Sequence, residues 1–266
     1  MATAAAGVRE ALAVAEARQV IEGAGVPIRR ALPSRQAPYE LVDPFLLLDE
    51  GHLILTPGAP GFPPHPHRGF EIVTYSLRGP ISQVMTAEGK EVPAAVSTGG
   101  LLRITAGRGM THGEGTGGLA RPGDELHILQ LWINLARADK QVEPSAQAVP
   151  PESIPLRSWG RATVRTLVGE GAPTRLRTPA LYLDVDLPAG ERLDLPVPEG
   201  WQGFAYLIAG EGTFGGNARP ATAGQLVVLG PGSTFPAEAG REGLRFVLAA
   251  GQPHREEPRW HGSFVD

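Results

Sequence analysis

The sequence predicts an all-β protein in two similar halves, and three observations carry that expectation. Gly (35) and Pro (26) each stand at about twice their usual share of a 266-residue chain, which breaks helices and supplies turns. Short apolar runs of strand length recur from end to end, and Ala180-Leu181-Tyr182-Leu183-Asp184-Val185-Asp186 alternates over its second half as a half-buried strand does. A stretch of the first half, Gly69-Phe70-Glu71-Ile72-Val73-Thr74-Tyr75-Ser76-Leu77-Arg78-Gly79, is echoed in the second by Gly203-Phe204-Ala205-Tyr206-Leu207-Ile208-Ala209-Gly210. Duplication is the economical explanation.

Residues 1–17 are Ala-rich without an apolar stripe, so the expectation there is a short helix or a disordered extension. From Arg18 the text changes. Gln19-Val20-Ile21 and Val26-Pro27-Ile28 flank Glu22-Gly23-Ala24-Gly25 as strand, turn and strand. Two short strands are expected between Leu53 and Gly79 around a Pro/Gly loop, and two or three more between Leu101 and Leu135. Between Ala136 and Trp159 the composition shifts to Lys, Glu and Ser with Pro144, Pro150, Pro151 and Pro155, the signature of a connector. Beyond it lie the alternating run at Ala180 and further strands at Gln225-Leu226-Val227-Val228-Leu229 and Leu244-Arg245-Phe246-Val247-Leu248.

Composition excludes several chemistries. With Cys 0 there are no disulfides, thiolate metal sites, iron–sulfur clusters or Cys nucleophiles, so any metal must take nitrogen or oxygen. No apolar run reaches ~18 residues, and Arg9, Glu10 and Glu16 interrupt the N-terminal stretch where a signal peptide would be apolar. The expectation is a soluble, cytoplasmic protein without membrane contact. A formal net charge of −4 with dispersed Arg offers no footprint for a phosphate backbone, so direct nucleic-acid binding is not expected.

Two segments carry the chemistry: His65-Pro66-His67-Arg68-Gly69-Phe70-Glu71 and Gly107-Arg108-Gly109-Met110-Thr111-His112-Gly113-Glu114. Each holds an i, i+2 pair. Such side chains share one face of an extended chain, roughly 6.6 Å apart, so an ion fits between their tips. On neighbouring strands of a barrel, His65, His67, His112 and Glu114 would converge as three imidazoles and one carboxylate, leaving two octahedral positions open. Glu71 lies about 13 Å along the strand from His67 and is expected to pair with Arg68 or backbone groups instead. His127 is expected to be a strand-buried residue, and His52, His254 and His261 to sit in loop or terminal contexts without a catalytic role. Gly107 and Gly109 are not followed by the Lys-Ser/Thr of a phosphate loop, and they fit a tight turn ahead of His112. No G-x-S-x-G elbow is present.

Together these residues resemble the pirin family, a branch of the cupin superfamily. The resemblance rests on Asp43-Pro44-Phe45-Leu46-Leu47-Leu48-Asp49-Glu50, on Phe62-Pro63-Pro64-His65-Pro66-His67-Arg68-Gly69-Phe70-Glu71 with Val73-Thr74-Tyr75, on Thr105-Ala106-Gly107-Arg108-Gly109 with His112 and Glu114, and on Leu129-Gln130-Leu131-Trp132-Ile133-Asn134-Leu135. It spans about Gly23 to Asp266. It departs at Ser82-Gln83-Val84-Met85-Thr86-Ala87-Glu88-Gly89, where the family usually offers a His and an Asp before a Gly, and at Asp266, where relatives often continue into a helix.

The resemblance implies a bicupin of two tandem jelly-roll-like β-barrels. Its parts are an extension (1–17), a metal-binding barrel (18–140), a linker (141–160) and a barrel without metal ligands (161–266) whose last segment packs on the first barrel. It implies iron at His65, His67, His112 and Glu114, although imidazole and carboxylate also serve Cu, Ni, Mn and Zn. Two kinds of function follow from it. One is a quercetin 2,3-dioxygenase acting on a small phenolic substrate and O2, with Glu114 first a ligand and then the base. The other is a non-catalytic iron protein that partners transcription regulators or other proteins.

Overall fold

The computed structural model describes residues 7–57 and 61–266. The first barrel has a seven-stranded antiparallel sheet in the order β12 (Ser145–Val149), β9 (Leu101–Thr105), β6 (Phe70–Arg78), β11 (Glu125–Asn134), β4 (Phe45–Ile54), β3 (Val26–Leu32) and β2 (Arg18–Glu22). Facing it is a four-stranded sheet, β5 (Phe62–His67), β10 (Met110–Gly115), β7 (Ile81–Ala87) and β8 (Lys90–Val96). The second barrel follows the path β1 (Ala11–Glu16), β19 (Gln225–Leu229), β17 (Gln202–Phe214), β20 (Thr234–Gly251), β15 (Ala180–Leu187), β14 (Ala162–Val168) and β13 (Leu156–Trp159). Off that path, β16 (Arg192–Pro196) pairs with β20 and β18 (Arg219–Thr222) with β17.

The two paths correspond strand for strand, including an exchange. β1, which leads into the first barrel, pairs with β19 of the second, and β12, which leads into the second, pairs with β9 of the first. Register makes the duplication concrete. Tyr75, Leu129 and Glu50 stand level across β6, β11 and β4, as Tyr206, Val247 and Asp184 do across β17, β20 and β15. The sequence echo therefore aligns Tyr75 with Tyr206 and Gly79 with Gly210, while Gly203 stands level with Ile72 and not with Gly69.

The barrels meet through the outer faces of their large sheets. Period-two alternation sends Val73, Tyr75 and Leu77 of β6, with Leu129, Leu131 and Ile133 of β11, into this seam against Phe204, Tyr206 and Val247. Phe45 meets Phe204 edge to face at 5.4 Å, a geometry that contributes about 0.5–1.5 kcal/mol beyond area burial. Two reciprocal hydrogen bonds cross the seam: Tyr75 Oη donates to Asp184 Oδ2 at 2.7 Å, and Tyr206 Oη donates to Glu50 Oε2 at 2.5 Å.

The interiors differ. That of the second barrel is one continuous apolar cluster including Leu193, Leu195, Phe214, Phe235 and Phe246. That of the first is divided between a cluster around Phe70, Met85 and Met110 and another around Ile81, Leu102 and Leu126. The gap holds the site.

Three expectations need correction. In the Ala-rich extension, Ala11–Glu16 is a strand and not a helix, because Ala11 and Ala15 bury against the second barrel and this pairing overrides helix propensity; residues 1–6 lie outside the described residues. The connector 141–160 is not free linker, since β12 and β13 extend the two large sheets. His52 is in β4, not a loop, stacked on His127 at 4.1 Å and bonded to Glu125 Oε1 at 2.7 Å. Of the two kinds of partner expected for Glu71, backbone groups are the ones present: its buried carboxylate takes hydrogen bonds from the N–H groups of Arg177 and Thr178 and from Thr105 Oγ1, while Arg68 pairs with Asp266.

The closing hairpin, β21 (Trp260–His261) and β22 (Phe264–Val265), lies on the first barrel. Lys140 Nζ ties it down, donating to Val265 O, Gly69 O and Asn134 Oδ1. Gly69, at φ +88°, is required here because a Cβ would collide with Val265 O.

Candidate metal centre

β5 and β10 are antiparallel neighbours, with His65 directly opposite His112 and His67 opposite Met110. The i, i+2 spacing of His65 and His67 turns both rings to one face. The turn that leads into β10 depends on Gly107, whose φ of +47° and closeness to Val142 O admit no side chain. Ring centroids lie 4.7 Å (His65–His67), 4.6 Å (His65–His112) and 5.0 Å (His67–His112) apart. One ring nitrogen from each histidine falls within 4.8 Å of the others, a span suited to one ion.

The polar atoms of these rings argue for a ligand role. His67 and His112 are 2% and 1% exposed, and none of their four ring nitrogens has a hydrogen-bond partner. Buried polar groups are rarely left that way without a ligand, water or ion to meet them. Burial, with the charges of His112 and His65, pushes the His67 pKa down to about 3, and burial with the His65 charge does the same for His112. Both rings are therefore neutral at physiological pH and offer lone pairs. His65 bonds through Nδ1 to Pro63 O at 2.7 Å, which puts its proton there and leaves Nε2 free to coordinate. The residues fit a divalent transition metal.

Glu114 stands beside the triad, outside the close group. A register shift between His112 and Glu114 displaces it along β5, and its Oε2 lies 4.0 Å from His112 Nε2. Its carboxylate accepts from Gln130 Nε2 at 2.9 Å to each oxygen and from Thr74 Oγ1 at 3.4 Å. Burial raises its pKa, against the lowering effects of Gln130, His65 and Thr74. On β7, Gln83 stands opposite Glu114 and Met85 opposite His112, so the segment that departs from the family pattern abuts the site.

A cavity of about 710 Å³ reaches His65, His67 and Glu114. Its walls are largely apolar, among them Val26, Ile28, Leu53 and Ile128. One polar rung crosses it: Thr74, Gln130, Asp49 and Arg30 stand level on β6, β11, β4 and β3, and all face the cavity. Arg30 and Asp49 form a two-pronged ion pair at 2.8 and 2.7 Å. Sequence reasoning assigned no site role to Gln130, Thr74, Asp49 or Arg30. The available signal was a polar residue at the inward position of an apolar strand, as with Gln130 between Ile128 and Trp132. His127 does not approach the triad; its Nε2 meets Glu50 Oε1 at 2.7 Å. No helix among the described residues is long and apolar enough to cross a membrane.

Two cupin barrels, one bearing a histidine triad at the foot of a cavity, define a bicupin with one candidate metal centre among the described residues. The sequence pattern named Pirin matches residues 25–133, and that named Pirin C-terminal cupin domain matches residues 182–266. The chain belongs to the pirin family. A pirin-like protein of Solanum lycopersicum is 39% identical over 255 residues, covering 94% of this chain and 84% of the relative. The crystal structure of a quercetin 2,3-dioxygenase from Acinetobacter baumannii is similar at 25% identity and TM-score 0.88, covering 97% of this chain and 92% of that one. The Escherichia coli pirin YhhW in complex with nickel(II) shares the fold at 16% identity and TM-score 0.66, covering 90% of this chain and 98% of that one.

Proposed function

We propose that this protein is a metal-dependent dioxygenase that opens the central ring of a flavonol or a similar planar phenol. The observation that carries the reading is the apolar-walled cavity of about 710 Å³ ending on His65, His67 and Glu114. It has the size and lining of a small-molecule site. The likeness to the Acinetobacter baumannii quercetin 2,3-dioxygenase supports it. Iron is the proposed ion, with His65, His67, His112 and Glu114 as ligands. When bound, it supplies Lewis acidity to the substrate hydroxyl and a site for oxygen chemistry.

The protein's own groups do the rest. His67 and His112, held neutral by burial, have lone pairs that would hold the ion. Glu114 takes the proton of the substrate hydroxyl. Phe70 and Trp132, stacked at 4.3 Å, wall the site from water. O2 enters, the ring opens and carbon monoxide leaves.

The test is loss of flavonol absorbance with matching O2 uptake by the iron-reconstituted chain. Glu114→Gln is expected to keep much of the metal and suppress turnover, and His65→Ala to lose the metal. Metal binding without flavonol or O2 consumption would overturn the enzyme reading in favour of a module that presents a metal-shaped surface to a protein partner.

A further inference from the structure

Glu114 is held from across the barrel. Gln130 and Thr74, its hydrogen-bond donors, belong to the large sheet, whereas Glu114 sits on the small one. A glutamine amide can present either its oxygen or its nitrogen to a carboxylate, and only the nitrogen attracts. The indole of Trp132 removes the choice. Its Nε1–H can only donate, and it lies 3.1 Å from Gln130 Oε1, so Nε2 must face Glu114. The indole itself is wedged, stacked on Phe70 at 4.3 Å, edge-on to His67 at 4.9 Å and parallel to Trp260 at 6.3 Å.

We propose that Gln130, locked by the Trp132 indole, is a positioning residue that aims the Glu114 carboxylate at the imidazole cluster. The inference rests on the metal site proposed above. Glu114 Oε2 is 4.0 Å from His112 Nε2, and the carboxylate lines the same cavity as His65 and His67. The amide, bonded to both oxygens, limits how far the carboxylate can swing from its place beside the histidines. Because Trp132 also abuts His67, one side chain aligns two of the four ligands. Outer partners of this kind typically carry about 10–100-fold in metal affinity.

Gln130→Met keeps the length of the side chain and removes the amide, and Trp132→Phe keeps the wall and removes the N–H. Ni2+ affinity would be measured on the full chain by chelator competition, together with the visible absorption bands of the Co2+-loaded protein. Gln130→Met is expected to weaken Ni2+ about 10–100-fold and shift the Co2+ bands, with a smaller effect in the same direction for Trp132→Phe. A merely structural role would lower the melting temperature and leave the bands alone. Wild-type affinity and unchanged bands in Gln130→Met would overturn the proposal, and Trp132→Phe carries the same readouts should the first variant fail to fold. In metal-free 15N-labelled protein, the Gln130 side-chain amide is expected to be protected from exchange, with protection lost in Glu114→Leu. If the wild type binds no metal, the reading of function falls, and this amide signal alone judges the clamp: no protection, or protection surviving in Glu114→Leu, overturns it.

Discussion

Replacing His112 by Leu should stabilise the metal-free protein and destabilise the metal-loaded one relative to wild type. His112 is 1% exposed, and both of its ring nitrogens lack partners. A neutral imidazole carries one donor and one acceptor, and each buried unsatisfied group costs about 1–3 kcal/mol. The ring cannot relieve this by protonating near neutrality, because burial and His65 hold its pKa at about 3. Leu has nearly the same volume and faces Met85, so packing is retained while both unpartnered atoms disappear. The expected gain is about 2 kcal/mol in urea unfolding with chelator present. With free metal at about 1,000 times its Kd, wild type gains about 4 kcal/mol and the variant almost nothing, so the order inverts. A metal-free variant less stable than metal-free wild type would refute the reasoning.

Three further outcomes follow from named contacts. Tyr75→Phe and Tyr206→Phe each remove one seam hydrogen bond to a buried carboxylate and should each cost about 1.5–3 kcal/mol in urea unfolding, roughly additively in the double variant. Glu50→Gln should cost about 3 kcal/mol at pH 7 by leaving Arg29 and His127 without their carboxylate. Burial pushes the Glu50 pKa up, but hydrogen bonds from His127 and Tyr206 and the Arg29 ion pair outweigh it and hold it below the ordinary 4.5. That stability is fully present above pH 4.5 and is lost as pH falls through the lower folded value, so urea curves for wild type and Glu50→Gln should converge under acid. Asp49→Asn should raise KM for a polyhydroxylated flavonol with little change in kcat, since Asp49 shares the polar rung two strands from Thr74, about 10 Å at ordinary strand spacing. Steady-state kinetics on substrates with and without a remote hydroxyl would check this.

Much of this protein was legible in its sequence because the relevant rules are local. The spacing of His65 and His67 put two rings on one face wherever an extended strand formed, and the absence of Cys confined any metal to nitrogen and oxygen. Alternation along Ala180–Leu187 and the Gly/Pro punctuation fixed strands in both halves. Only tertiary structure decided the rest. Ala11–Glu16 became a strand because a distant edge, β19, accepted it, whereas the Ala-rich text alone pointed to a short helix or a disordered extension. Glu114 is oriented by Gln130 and Thr74, which approach from the opposite sheet, and Glu50 is met by Tyr206 from 156 residues away. Contacts made when two sheets close on each other depend on register and facing. Those are set by the packing of the whole chain, so a period-two pattern reveals which face a side chain takes and not what waits across from it.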